Sequence, residues 1–414
     1  MDYKISAKTA EIMAKLTELP EVKAGLQFLV DDHERAINEQ LELVVIKAPT
    51  FFERERAEHY EKMMRAEGLD DVHIDRHNNV IGVKKGSGGG PSVLIEGHLD
   101  TVFDFDVEIN PVIKDGKIYA PGIGDDTRGL AAVLSTLRAF NATGIQHKGD
   151  IYFAGIVREE GMGGLSGMKD FLEDNKGKID ATISIDGAGN DRIVHNATGM
   201  KTMSFTFYGI GGHAFGAFAK VANPLHAAAR AVAKIADIQV PENPKTTFAV
   251  SNFHAGTDAA IHAITENATI KINFRSNGLE ELQQFEKELF RCVEEACREE
   301  TERWGKDTIT FSHECYVDVP AGTQDKSSPI LEATYAAMEH LGIVPKFVPD
   351  GCTNANIPIC LGMPAVCIGR GGNEGGVHTT GEWFEIEGSY RCTQEAFLIA
   401  LAVSGIKDKT ESVL

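Results

Sequence analysis

Apolar residues recur at helical spacing from about Leu26 to Ile46, and again from about Arg54 to Ala66, where Gly68 supplies a stop. Strand signals follow. Val72 and Ile74 alternate with polar neighbours, Asn78-Asn79 supplies a turn, and Val80 to Val83 continues the pattern. Gly86 to Pro91 is a Gly-rich loop followed by a strand rather than a helix, which excludes a dinucleotide-binding turn. Short apolar runs then alternate with helical patterns: strands at Val93–Ile95, Ile151–Val157 and Ala181–Ile185, helices at Gly129–Phe140 and Leu165–Glu173. That alternation predicts an α/β domain around a largely parallel central sheet flanked by helices.

Near Gly199 the order changes. Lys201 to Tyr208 alternates in period two, Pro224 to about Ile238 reads as a helix with Asn223 as N-cap, and strands at Thr247–Phe253 and Thr269–Phe274 precede a long charged helix from Leu279 to Trp304. This is α+β order, so 198–314 is expected to be an inserted domain, with 1–197 and 315–414 forming the α/β domain. The α/β pattern resumes at about Ser328 and closes with a helix from Glu387 to Val403.

Composition narrows the function. A chain of 414 residues suits two domains, and 61 acidic against 41 basic side chains give a formal charge of −20. Such a field repels phosphate, so neither nucleic acid nor an anionic membrane surface is an expected partner. No apolar run reaches the ~18 residues of a membrane span, and the opening residues show no charged and apolar leader, which predicts a cytoplasmic protein. The seven cysteines are odd in number and include no CxxC pair, so neither disulfides nor a thiolate zinc site is expected.

Strands of an α/β sheet present functional groups at their carboxyl ends. Those ends carry Glu96-Gly97-His98-Leu99-Asp100, Arg158-Glu159-Glu160 and Asp186-Gly187; the loop before the helix at 129 carries Asp125-Asp126, and a late loop carries His378. Imidazole and carboxylate donors without thiolate suit two divalent cations sharing a carboxylate, zinc first, with cobalt or manganese also suited. Adjacent glutamates leave an extended backbone in opposite directions, so one can bind metal while the other faces substrate. Asp100, two residues beyond His98, is placed to hold that imidazole through its second nitrogen. Glu96 reads as a structural strand residue.

The segments GHLDTV (97–102), GIGDDTRG (122–129), REEGMGGLSG (158–167), SIDGAG (184–189), GGHAFG (211–216) and GGVHTTGEW (375–383) resemble, in order, those of the co-catalytic di-zinc peptidases and amidohydrolases that include peptidase T, glutamate carboxypeptidase, dipeptidase V and aminoacylase. The resemblance implies a zinc-peptidase catalytic domain with an inserted lid and dimerisation domain. His98 and Asp186 would complete one metal site, Glu160 and His378 the other, and Asp125 would bridge them through a cis Asp125-Asp126 peptide. Glu159 would be the general base. His213 would match a lid histidine that reaches the partner's active site in a homodimer, and Arg275 a lid arginine that pairs with a substrate carboxylate.

Two positions depart from the family pattern. His262 stands where many relatives have asparagine, and Asn354 replaces an acid in a loop near the substrate pocket. Asp186 favours peptidases over acylases in this resemblance, so the expected activity is hydrolysis of short free peptides, as by a peptidase T-like tri- or dipeptide aminopeptidase. An N-acyl-amino-acid amidohydrolase is the alternative, and a noncatalytic peptide-binding protein a more distant one, since Glu159 and all five ligand candidates are present.

Overall fold

Strands covered on both faces read as unbroken apolar runs, and four of them form the middle of one sheet in the computed structural model. The structure describes residues 3–69, 71–304 and 309–414. Contacts divide the chain into two units, Met1–Ala197 with Thr323–Leu414, and Thr198–Gly322.

The first segment supplies helices α1 (Ala7–Glu18), α2 (Pro20–Asp31), α3 (His33–Val44) and α4 (Arg54–Ala66), then strands β1 (Asp71–Ile74), β2 (Val80–Lys84) and β3 (Val93–His98). Helix α5 (Thr127–Thr143), β4 (Ile151–Ile156), α6 (Ser166–Asp174), β5 (Ala181–Ile185) and β6 (Arg192–Val194) follow. The second unit holds β7 (Gly199–Tyr208), α7 (Pro224–Ala236), β8 (Thr246–Ala255), β9 (Asn267–Ser276), α8 (Leu279–Trp304) and β10 (Thr310–Val319). The last segment adds α9 (Pro329–His340), β11 (Lys346–Val348), β12 (Ala365–Ile368) and α10 (Arg391–Ser404).

The first unit's main sheet runs β1-β2-β4-β3-β5-β12-β6-β11. Its centre, β4-β3-β5-β12, is parallel and buried at every position. Helices α5 and α10 pack against β3 and β5, and Phe140, Phe153 and Phe397 meet edge to face in the core between them. Parallel pairing sends the carboxyl ends of these four strands to one edge, where the loops after His98, Ile156, Ile185 and Ile368 converge. β1 and β2 pair antiparallel to their neighbours, and β6 pairs antiparallel to β12 but parallel to β11, so the sheet is mixed at its edges.

The opening differs from expectation. Where one helix was expected from Leu26 to Ile46, α2 begins at Pro20, α3 starts after Asp32, and α1 precedes both. Asp32 does not cap α3; its carboxylate accepts from Ser135 Oγ and Arg138 Nη2 on α5, each at 2.7 Å. A tertiary ion pair thus sits where the helical pattern looked continuous.

In the second unit the antiparallel order is β8-β9-β7-β10. Phe205, Phe207, Ile270, Ile272 and Phe274 pack against Ala227 and Ala231 of α7 and Leu282, Phe285 and Leu289 of α8. Asn223 Oδ1 accepts from Leu225 N at 3.0 Å, capping α7 before Pro224 at its first position. The unit closes at Gly322 rather than 314, because β10 extends it by pairing with β7 from Tyr208↔Thr310 to Met200↔Val319.

The loop ahead of α5 is folded around Glu382. Its Oε2 accepts from Gly122 N (2.8 Å), and its Oε1 from Gly124 N (2.8 Å) and Asp125 N (3.1 Å). Glu382→Ala leaves these three buried donors without acceptors, and the loss expected by urea denaturation is on the order of 3 kcal/mol, with Glu382→Gln milder; unchanged stability would mean the loop does not depend on this side chain.

Glu395 in α10 is buried, and neither of its carboxylate oxygens has a hydrogen-bond partner. Burial, reinforced by the Asp191 charge, holds its carboxyl well above the ordinary 4.5. The stability linked to this group is therefore complete below about pH 4.5, where both states are protonated, and declines as pH rises and the unfolded chain ionises. The gain in melting temperature of Glu395→Gln over wild type should be small near pH 5 and widen towards pH 8; a gain independent of pH would contradict this account.

Candidate active site

Strand β3 is anchored where it ends. His98 N donates to Asp126 Oδ2 at 2.8 Å, while Asp126 Oδ1 accepts from Gly129 N at 3.1 Å as the N-cap of α5. Helix and strands approach closely here: a Cβ at Gly97 would lie 2.8 Å from Asp126 Oδ2, and one at Gly129 only 2.5 Å from the Ile185 carbonyl. Asp126 is thus turned into the protein, and the Asp125-Asp126 peptide is cis.

Asp125 faces the other way, with its two oxygens on different neighbours. Oδ1 lies 3.0 Å from His98 Nε2, and Oδ2 lies 3.0 Å from His378 Nε2, which is itself 3.0 Å from Glu160 Oε1. Donor atoms of His98, Asp125 and Asp186 lie within 4.8 Å of one another, as do those of Asp125, Glu160 and His378. A third, overlapping group is His98, Glu159 and Glu160. Each of the first two groups offers one imidazole nitrogen and two carboxylates, a donor set that fits zinc, cobalt or manganese. All seven cysteines are free thiols, and none joins these groups.

Asp100 holds the glutamate loop. Its Oδ1 accepts from Glu159 N and its Oδ2 from Glu160 N, each at 2.9 Å, and Thr50 Oγ1 adds 2.9 Å to Oδ2. The expected hold of Asp100 on the His98 ring is made mainly by its backbone: Nδ1 lies 3.0 Å from the Asp100 carbonyl oxygen and 3.5 Å from Oδ1.

So many buried carboxylates shift one another. Burial first, then the charges of Asp186, Glu160 and Asp100, push Glu159 well above the usual carboxylate range, and burial raises Glu160 as well. Burial would also raise Asp125, but the Arg370 charge and the His378 and His98 hydrogen bonds hold it well below. Hydrogen bonds to Asp125 and Glu160 carry His378 up to about 10.

Asn354 is buried; its Nδ2 donates to Glu96 Oε2 at 2.9 Å, while its Oδ1 has no hydrogen-bond partner. Burial pushes Glu96 itself to about 7. His213, His262 and Arg275 belong to the second unit and are exposed. The His213 and His262 rings lie 6.0 Å apart, and Arg275 Nε is 3.4 Å from Asn273 Oδ1 on β9.

Sequence reasoning missed Arg370, Glu374 and Glu382. Arg370 Nη1 donates to Asp125 Oδ1 at 2.6 Å and Nη2 to Glu374 Oε1 at 2.8 Å, with all three side chains buried. A signal was present: the apolar run Ala365–Ile368 is followed by Gly369-Arg370-Gly371, a fourth strand end of the kind that carries chemistry.

Among proteins of known assignment, the succinyl-diaminopimelate desuccinylase of Nitrosospira multiformis is 27% identical over 337 residues, covering 75% of this chain and 84% of that protein. Two solved structures share the fold. The aminopeptidase PepT of Bacillus cereus superposes with a TM-score of 0.73 at 24% identity, over 90% of this chain and 99% of that one. A tripeptidase of Staphylococcus aureus gives 0.74 at 23% identity, over 90% and 98%. The family profile of peptidase family M20/M25/M40 matches residues 94–401, from β3 through the helix that closes the sheet. This chain belongs to that family, and it is a metal-dependent hydrolase of the peptidase and amidohydrolase kind.

Proposed function

We propose that the protein is a two-metal aminopeptidase acting on tri- and dipeptides. The observation that carries this reading is Asp125, whose two oxygens each face a separate histidine and carboxylate. His98 and Asp186 would hold one ion, Glu160 and His378 the other, with Asp125 shared. Zinc suits the donors best, and cobalt or manganese would also fit. Such ions supply Lewis acidity, polarising a carbonyl and making water acidic enough to ionise near neutral pH.

Glu159 is the base in this reading. Asp100 holds its backbone, its carboxyl favours protons, and the neighbouring Glu160 takes the ligand position facing His378. It would accept the water proton and deliver it to the leaving amine. Arg275 would pair with a substrate carboxylate through its guanidinium. Asp186 at a metal position, and the aminopeptidase and tripeptidase among the structural neighbours, favour a peptide substrate. The desuccinylase relative favours the second reading, removal of an acyl group from an N-acylated amino acid by the same machinery.

We also propose a homodimer through the second unit. Phe215 is 91% and Ile261 88% exposed, on the two segments that His213 and Ala263 pair, and apolar surface of this kind suits a second copy. His213 Nδ1 accepts from Phe215 N (3.2 Å) and Gly216 N (3.3 Å), which makes Nε2 the protonated nitrogen. A neutral ring with an outward N–H is suited to stabilise an oxyanion in the partner's site.

Amino-acid release from tripeptides and dipeptides, each free and N-acetylated, separates the two readings. Cleavage of free peptides alone, abolished by a chelator and restored by zinc, is expected; cleavage of acylated compounds alone would make the protein a deacylase. Glu159→Ala should bind two ions yet lose nearly all turnover, whereas Glu160→Ala should lose an ion; equal metal loss in both would reverse the assignment of the two glutamates. His213→Ala should cut turnover by on the order of 100-fold with metal content unchanged, and full activity would remove His213 from the reaction.

A further inference from the structure

The two halves of the centre match in donor type but not in surroundings, and the difference is Arg370. This residue follows β12 and is 2% exposed. Its backbone is fixed on both sides: Arg370 N donates to the Gly187 carbonyl at 2.7 Å, and Arg128 Nε donates to the Arg370 carbonyl at 3.2 Å. The backbone from which the guanidinium projects is therefore fixed at the strand end next to Asp186.

Its contacts fall on one half. Nη1 donates to Asp125 Oδ1 at 2.6 Å, the oxygen that faces His98, and Nη2 lies 3.7 Å from Asp186 Oδ1. Asp125 Oδ2, on the other half, has His378 for a neighbour. Glu374 takes the remaining face of the fork at 2.8 Å, while Arg370 Nε is buried with no hydrogen-bond partner. An arginine with an orphaned buried N–H is not held there by its own hydrogen-bonding needs; the carboxylates it neutralises determine its position.

A charge-assisted hydrogen bond draws electron density from the accepting oxygen and sets a positive charge beside it. Asp125 Oδ1 is therefore a poorer donor to a cation than Oδ2, and the half containing Asp186 repels an incoming cation more. We propose that Arg370 is a positioning residue that makes the two metal sites unequal: the His98–Asp125–Asp186 site binds its ion last and releases it first, while the Asp125–Glu160–His378 site retains its ion. This rests on the two-metal reading of the centre. It gives the protein a state with one ion held, in which the Asp186 side is open to exchange.

The test is calorimetric titration of zinc into the metal-stripped full-length protein, with a competing chelator to resolve tight binding. Wild type should bind two ions in classes separated by on the order of tenfold or more. His98→Ala should abolish the weaker class and His378→Ala the tighter one. Arg370→Met should narrow the gap, Arg370→Lys should preserve much of it, and Glu374→Gln should widen it by leaving the guanidinium without its second anion. If Arg370→Met fails to fold, as its melting curve would show, Glu374→Gln still decides the matter. A gap unchanged in the folded variants, or loss of the tighter class in His98→Ala, overturns the proposal while two bound ions leave the two-metal reading standing. Fewer than two ions in wild type would overturn both.

Discussion

Two neighbouring carboxylates have to face opposite ways for this centre to exist, and much of the first unit serves that requirement. Asp126 points inward, capping α5 and accepting the backbone N–H of His98, so it ties the first turn of a helix to the end of a strand. Asp125 then presents its two oxygens to two histidines from distant parts of the sequence. The glycines at 97 and 129 allow the close approach, and Glu382 holds the preceding loop by three backbone donors. Each of these contacts helps set where Asp125 points.

The second constraint is charge. Asp100, Asp125, Asp126, Glu159, Glu160 and Asp186 crowd one sheet edge, and burial would make all of them costly if ionised. The protein meets this unevenly. Asp100 is held low by His98 and by the backbone N–H groups of Glu159 and Glu160, and Asp125 is held low by Arg370 and the two histidines. Asp126 and Glu159 are pushed well up, mainly by burial. The result is a cluster in which some carboxylates are kept as anions and others are pushed towards the protonated form.

Much of this was legible in the chain. Continuous apolar runs located β3, β4 and β5, and reading the residues just past them brought forward His98, Glu159, Glu160 and Asp186. The inserted unit showed in the change from α/β to α+β order, although its closing boundary fell short because β10 pairs back onto β7. Less was legible where a local pattern is overridden by a distant partner. Asp32 looked like part of a helix until Arg138 and Ser135 engaged it, and the amide of Asn354 donates to a strand carboxylate, Glu96, 258 positions away. Arg370 was not brought forward, although it lies just past the apolar run Ala365–Ile368.

Sequence by itself determined the layers, the order of the strand ends and the kinds of donor available, because hydrophobic period and residue chemistry are local properties. Only the tertiary structure decided that Asp125 faces two separate donor sets, that Asp100 holds the glutamates by their backbone, and that a guanidinium sits on one side of the shared carboxylate. Those facts depend on directions and distances between residues up to 253 positions apart, such as Asp125 and His378. No local pattern encodes them, because the parallel sheet that brings these residues together exists only once the chain has folded.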